Sequence, residues 1–152
     1  MHLTSAAFCE GEPIPVKFTC EGLNASPPLQ WADVPADAKS LALTTDDPDA
    51  PGGTWIHWIL YDLPAKVSKL AEALPRNQYT PAGARQGLNS FGHLGYGGPC
   101  PPAGSPHRYF FRLYALDCPL DLKPGATRSD VEEAMKGHVL AEAQLMGTYG
   151  RS

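Results

Sequence analysis

Two stretches of the chain hold residue types able to do chemistry. The first, Thr45 to Tyr61 (TDDPDAPGGTWIHWILY), places Asp46, Asp47 and Asp49 in a loop ahead of His57. The second, Gly95 to Leu116 (GYGGPCPPAGSPHRYFFRLYAL), places Cys100 and Pro101 in a proline-rich loop ahead of His107 and Tyr109. Imidazoles and a phenol donate hydrogen bonds to phosphate or carboxylate oxygens, and the N–H groups of a stiff loop add to them. A buried aspartate can hold an imidazole in orientation and favour its charged form. If the two stretches converge, Asp47, His57, His107 and Tyr109 make a cradle for a small anion. Its affinity should then weaken as pH rises through the histidine range, about 6.5 when unperturbed.

Other residues in these stretches have plainer roles open to them. Asp47 ranks ahead of Asp49, which can equally serve to close a turn. Arg108 and Arg112 fall on the strand face opposite His107, where structural ion pairs or solvation are expected rather than anion contact. Asp47, His57 and His107 are not spaced like a structural zinc site and lack a fourth ligand, so no metal or other cofactor is expected. No G-x-S-x-G motif occurs, and Cys100 beside His107 or His57 is the sole nucleophile–base candidate. Its place between Pro99 and Pro101 suits a fixed backbone donor better, so the expectation is binding without catalysis. His93, Cys9 and Cys118 carry no motif and read as surface or core filler.

The elements that must position these residues are mostly strands. Prolines at 48 and 51 and the Gly52-Gly53 pair exclude helix before Trp55. From there Trp55, His57, Ile59 and Tyr61 alternate with Ile56, Trp58 and Leu60, as in a central strand buried on both sides. His107, Tyr109, Phe111 and Leu113 likewise alternate with Arg108, Phe110, Arg112 and Tyr114, so His107 and Tyr109 point the same way. Ile14, Val16 and Phe18 suggest an edge strand, Ala25-Ser26-Pro27-Pro28 a rigid approach to Leu29-Gln30-Trp31, and Lys39 to Thr45 a strand delivering the acidic loop. Apolar spacing predicts one or two helical turns over 65–74, and a helix capped by Ser129 or Asp130 and running to about Ala143, with Gly137 and His138 as interruptions. The segment 75–99, rich in glycine after Thr80, reads as a long functional or partly mobile loop.

Composition sets outer limits. The chain's 152 residues, 43% of them hydrophobic, suit one domain over 1–152, and its 16 prolines and 15 glycines favour short strands joined by turns. A net charge of −4 gives no basic stripe for nucleic acid. No signal-like start or membrane span is present, so the expected location is cytoplasmic. Cys9, Cys20, Cys100 and Cys118 show no CxxC spacing, and reduced thiols are expected.

DPDAP followed by a tryptophan and His57, and GPCPP followed by His107-Arg108-Tyr109, resemble the two signature regions of the phosphatidylethanolamine-binding protein family, also called Raf kinase inhibitor-like. FCEGEPIPVKFTCEG, SPPLQW and LMGTYGR resemble its compact prokaryotic branch, so the likeness spans nearly the whole chain. The resemblance implies a β-sandwich-like fold with a large central sheet and a few short peripheral helices. It implies that Asp47, His57, His107 and Tyr109 line a small pocket rimmed by the backbone around Cys100 and Pro101. Cys100 stands where animal members have glycine, Gly52-Gly53 replaces a longer charged insertion, and the C-terminal helix that animal members carry beside the pocket mouth is not expected here, so a more open pocket with a different headgroup selectivity is expected. The resulting expectation is a phosphate, phosphorylated headgroup or phospho-side-chain receptor that modulates a kinase or other partner; a homodimer is compatible. The alternative is a protease or kinase inhibitor acting through the glycine-rich segment from Gly83 to Gly98, independently of the pocket.

Overall fold

A computed structural model describes residues 1–151. Most of the chain that alternates apolar with polar residues is extended, and the strands form two antiparallel sheets. The small sheet orders β1 (His2–Thr4), β2 (Leu29–Ala32) and β5 (Lys69–Leu70); the large one orders β6 (Arg85–Gln86), β4 (Trp55–Pro64), β3 (Ser40–Asp47), β7 (His107–Leu116) and β8 (Val139–Tyr149). The regular elements are completed, among the described residues, by one α-helix, α1 (Arg128–Met135), and a 3-10 turn at Val16–Phe18. The protein is mostly β.

The large sheet is covered on both faces. On one side Leu41 and Leu43 of β3, Trp58 and Leu60 of β4, and Phe111 and Leu113 of β7 pack against Leu3, Leu29 and Trp31 of the small sheet and against Ile14 and Phe18. On the other, Ala42, Ile59 and Tyr61 pack against Val131 and Met135 of α1. All eight residues of β3 are therefore buried, which accounts for its nearly continuous apolar start. Antiparallel pairing sets the C-terminal end of β3 between the N-terminal ends of β4 and β7, with Asp47 opposite Trp55 and Asp46 opposite Phe110.

Several local expectations fail, each for a physical reason. Residues 65–74 hold no helix: a turn closed by Val67 N–H on the Pro64 carbonyl leads into β5, which adds to β2. The apolar residues Val67, Leu70 and Leu74 still reach the core. The Ile14–Phe18 segment is a bend with a 3-10 turn rather than an edge strand, with Val16 left 53% exposed. Helix α1 is capped by Thr127, whose hydroxyl and Asp130 carboxylate form a reciprocal capping box, and it stops at Met135. Gly137 at φ +78° then turns the chain into β8, whose Ala141, Ala143 and Leu145 face the core at every second position.

The expectation of four reduced thiols is also corrected. Cys20 and Cys100 form a disulfide with Cα atoms 5.4 Å apart, although 80 residues separate them in sequence. The loops meet because the Cys20 N–H donates to the Pro99 carbonyl. Cys9 and Cys118 are free.

Candidate functional site

The strand ends that meet at β3 open onto a cavity of about 210 Å³. Its walls are Asp47, Ala50 and Pro51 from the β3–β4 loop, Trp55 and His57 from β4, Cys100 to Pro102, His107 and Tyr109 from β7, and Phe91. All six residues singled out from sequence, Asp47, His57, Cys100, Pro101, His107 and Tyr109, line this one cavity.

His57 arrives there by a device that simple alternation hides. Thr45 pairs with Trp58 and Asp46 with Ile56, so His57 is the extra residue of a β-bulge. The bulge separates it from Ile59 and Tyr61, which pack beneath α1, and brings it beside Tyr109 with ring centroids 5.2 Å apart at 83°. His57 is 3% exposed, and its Nδ1 lies 2.6 Å from the Gly97 carbonyl, so that nitrogen carries the hydrogen and Nε2 is its remaining polar atom. Burial pushes the His57 pKa below its ordinary value, outweighing the Gly97 carbonyl and the nearby Asp47 charge, both of which act to raise it. In the neutral pH range the imidazole is therefore uncharged and Nε2 accepts. It becomes a donor only after taking up a proton, which revises the expectation of two donating imidazoles.

The orienting role of Asp47 falls on the other histidine. Asp47 Oδ2 accepts from His107 Nδ1 at 2.7 Å, with the side chains 4% and 12% exposed, and Asp47 Oδ1 accepts from the Asp49 N–H at 2.8 Å. A carboxylate can only accept, so His107 Nδ1 carries hydrogen and Nε2 is left for other partners. Tyr109 is buried beside this pair, and its hydroxyl has no hydrogen-bond partner among the described residues. Burial, then the Asp47 charge, push the Tyr109 pKa up, so it remains a phenol. With its oxygen shielded from solvent, Tyr109 is placed as a neighbour of Asp47 rather than as an open donor.

Of the three carboxylates expected in a loop, Asp46 and Asp47 are the paired last residues of β3 and only Asp49 lies in the turn beyond, and the three separate cleanly. Asp46 faces the opposite side of the sheet, where Arg112 Nε approaches at 2.7 Å. Asp49 is taken by Arg108, whose backbone N–H, Nε and Nη2 reach it at 3.0, 2.9 and 2.8 Å. That fork, with the backbone bond, holds the Asp49 carboxyl down to about 2 and fastens the β3–β4 loop to β7. Asp47 alone of the three faces the cavity, and both arginines are structural.

The mouth of the cavity holds residues that sequence reasoning missed. Phe91 stacks edge-on against His57 at 5.4 Å and against Trp55 at 5.5 Å, and Trp55 and Phe91 are each 39% exposed. The available signal was an aromatic set among glycines and polar residues. The glycines around it serve close packing: a Cβ on Gly97 would stand 2.6 Å from the Phe91 ring, and one on Gly98 would stand 2.2 Å from the Phe18 carbonyl oxygen. Residues 95–99 are buried, and Gly97 N–H donates to His57 O at 2.8 Å. Within the glycine-rich segment the end from Gly95 is thus a bonded wall, while Gly83, Leu88 and Ser90 to His93 stay at the surface.

The phosphatidylethanolamine-binding protein family model matches residues 4–150. A UPF0098 protein of Methanothermobacter thermautotrophicus is 55% identical over 151 residues, which cover 99% of each chain. A Mycobacterium tuberculosis chain named as a candidate lipoprotein, LppC, is 44% identical over 150 residues, covering 98% of this chain and 72% of that one. Among solved structures, Escherichia coli YbcL, described as a new member of the mammalian PEBP family, superposes with a TM-score of 0.92 at 35% identity, covering 99% of this chain and 98% of that one.

Proposed function

The chain belongs to the phosphatidylethanolamine-binding protein family, and from that premise we propose that its pocket is a non-catalytic receptor for a small anion, either phosphate or a phosphorylated headgroup or side chain. The observation that carries this reading is the Asp47–His107 pair at 2.7 Å, which fixes one imidazole on the cavity wall with Nε2 as its free polar atom. An imidazolium held this way donates to an anionic oxygen. His57, on the same wall, takes up a proton as the anion enters, because a negative charge at Nε2 offsets the burial that keeps it neutral. Binding is thus coupled to proton uptake. Trp55 and Phe91 give the mouth an apolar edge suited to the stem of a headgroup or side chain. A phosphorylated side chain would bring its protein with it, which is how such a pocket would modulate a kinase or other partner.

The disulfide also supports a binding role. Cys100 is bridged to Cys20 and has no thiol with which to attack a substrate. A bridge of this kind persists in oxidising surroundings, so we place the protein's work there rather than in the cytoplasm, in keeping with the candidate-lipoprotein name of one relative. Among the described residues no helix is long and apolar enough to cross a membrane.

The test is NMR titration of the wild type and a His57→Ala, His107→Ala double variant with inorganic phosphate and with phosphoethanolamine. Saturable shifts at His57, His107 and Phe91 are expected in the wild type, and no saturable shift at Phe91 in the double variant. No saturation with either compound overturns the proposal.

A further inference from the structure

A second cluster of ligand-bearing side chains lies at the far end of β7, ten residues from His107 and hence about 30 Å from the pocket at the usual rise of an extended chain. Asp117 and Cys118 follow β7, and His138 precedes β8. One ligand atom from each lies within 4.8 Å of the other two, and His138 Nδ1 stands 2.8 Å from Asp117 Oδ1. Among the described residues no other group of three such side chains converges this closely, and the pocket's own Asp47, His57 and His107 do not.

The backbone beneath the cluster is fixed before any ligand arrives. Asp117 N–H donates to the His138 carbonyl at 3.0 Å, and His138 N–H donates to Met135 O at 2.9 Å. The Ser40 hydroxyl donates to the Cys118 carbonyl at 2.8 Å. The chain around the cluster is also acidic, with Asp117 directly before Cys118 and Asp121 three residues after it.

We propose that Asp117, Cys118 and His138 form a binding site for a thiophilic divalent cation of the zinc class. One oxygen, one sulfur and one nitrogen donor suit such an ion, and solvent reaches the half-exposed cluster to complete four-coordination. Bonds of about 2.0 to 2.3 Å at tetrahedral angles set ligand atoms about 3.3 to 3.6 Å apart. The Asp117–His138 contact must open slightly and the widest separation must close by about 1 Å, movements within the range of side-chain torsions. Binding displaces the thiol proton to solvent as the metal–sulfur bond forms. The site ties the end of β7 to the start of β8, and it stands independently of the pocket reading.

The experiment is titration of the whole chain with Zn²⁺ against a chromophoric chelator, and separately with Co²⁺ by near-ultraviolet absorption. The expected result is a thiolate-to-cobalt charge-transfer band and saturable zinc binding. Cys118→Ser should abolish the band and weaken zinc at least about tenfold, with His138→Ala weakening it similarly. Cys9→Ser and the His57→Ala, His107→Ala variant should keep both signals. Absence of the band, or zinc affinity unchanged in Cys118→Ser, overturns the site; loss only in the pocket variant assigns the metal to the pocket and overturns it equally.

Discussion

Replacing Asp47 by asparagine tests the site at its pivot. Asp47 uses both oxygens, Oδ2 for His107 Nδ1 and Oδ1 for the Asp49 N–H, and its side chain is 4% exposed. Asparagine has one accepting oxygen and one NH₂ group that can only donate. Whichever way the amide is turned, either His107 or Asp49 faces a donor, and one buried bond to a charged acceptor is lost. Such bonds contribute about 1.5 to 3 kcal/mol. At roughly 2 to 4 °C per kcal/mol for a chain of this size, a loss of about 2 kcal/mol lowers Tm by about 4 to 8 °C. Calorimetric melting reads this directly. In the same variant anion affinity should fall about tenfold, because His107 is no longer held in its donating orientation. A stability change below about 0.5 kcal/mol would refute the pairing. Tighter anion binding would show that Asp47 acts mainly by repelling the ligand, and the positioning role would be lost.

Three further expectations follow from particular contacts. The Cys20–Cys100 bridge closes an 80-residue loop, for which chain entropy gives a stabilisation of about 4.5 kcal/mol, so Cys20→Ser, Cys100→Ser should lose several kcal/mol in urea titration; a loss under about 1 kcal/mol contradicts it. Gly97→Ala places a methyl 2.6 Å from the Phe91 ring, and the displaced ring should cost about 1 to 3 kcal/mol and change Trp55 fluorescence, whereas an unchanged spectrum and stability contradict the close packing. His57 has a depressed folded pKa, so the unfolded chain binds the extra proton first. Its contribution is fully present above about pH 6.5 and is lost as pH falls from there toward the folded value, at up to about 1.4 kcal/mol per pH unit. Denaturation across that window should show the slope in wild type and a shallower one in His57→Gln, and identical slopes would exclude His57 as its source.

The parts legible in the sequence were those where a local pattern had no competitor. In β7, His107 to Leu113 alternates without interruption, and the face it assigned to His107 and Tyr109 is the face that lines the cavity. Prolines 48, 51, 99, 101 and 102 marked the loops that bring Asp47 and Cys100 to the same place. What stayed hidden depended on partners distant in sequence. The inward positions of β8 include Ala141 and Ala143, good helix formers that masked a strand held by pairing with β7. The bulge at His57 exists only in relation to β3, and the Cys20–Cys100 bridge only because two loops meet 80 residues apart. Gly97 and Gly98 suggested mobility, and their actual constraint, Phe91 and the Phe18 carbonyl pressed against the backbone, is tertiary.

The measurement that bears most directly on the anion site is calorimetric titration with sulfate, whose charge is constant from about pH 5 to about pH 8, the range in which histidines change theirs. The expected result is affinity that rises steadily as pH falls, with proton uptake seen as a heat that depends on the buffer, and with both effects absent in the His57→Ala, His107→Ala variant. Affinity that is flat across this range, or the same in the variant, would contradict a histidine-held anion.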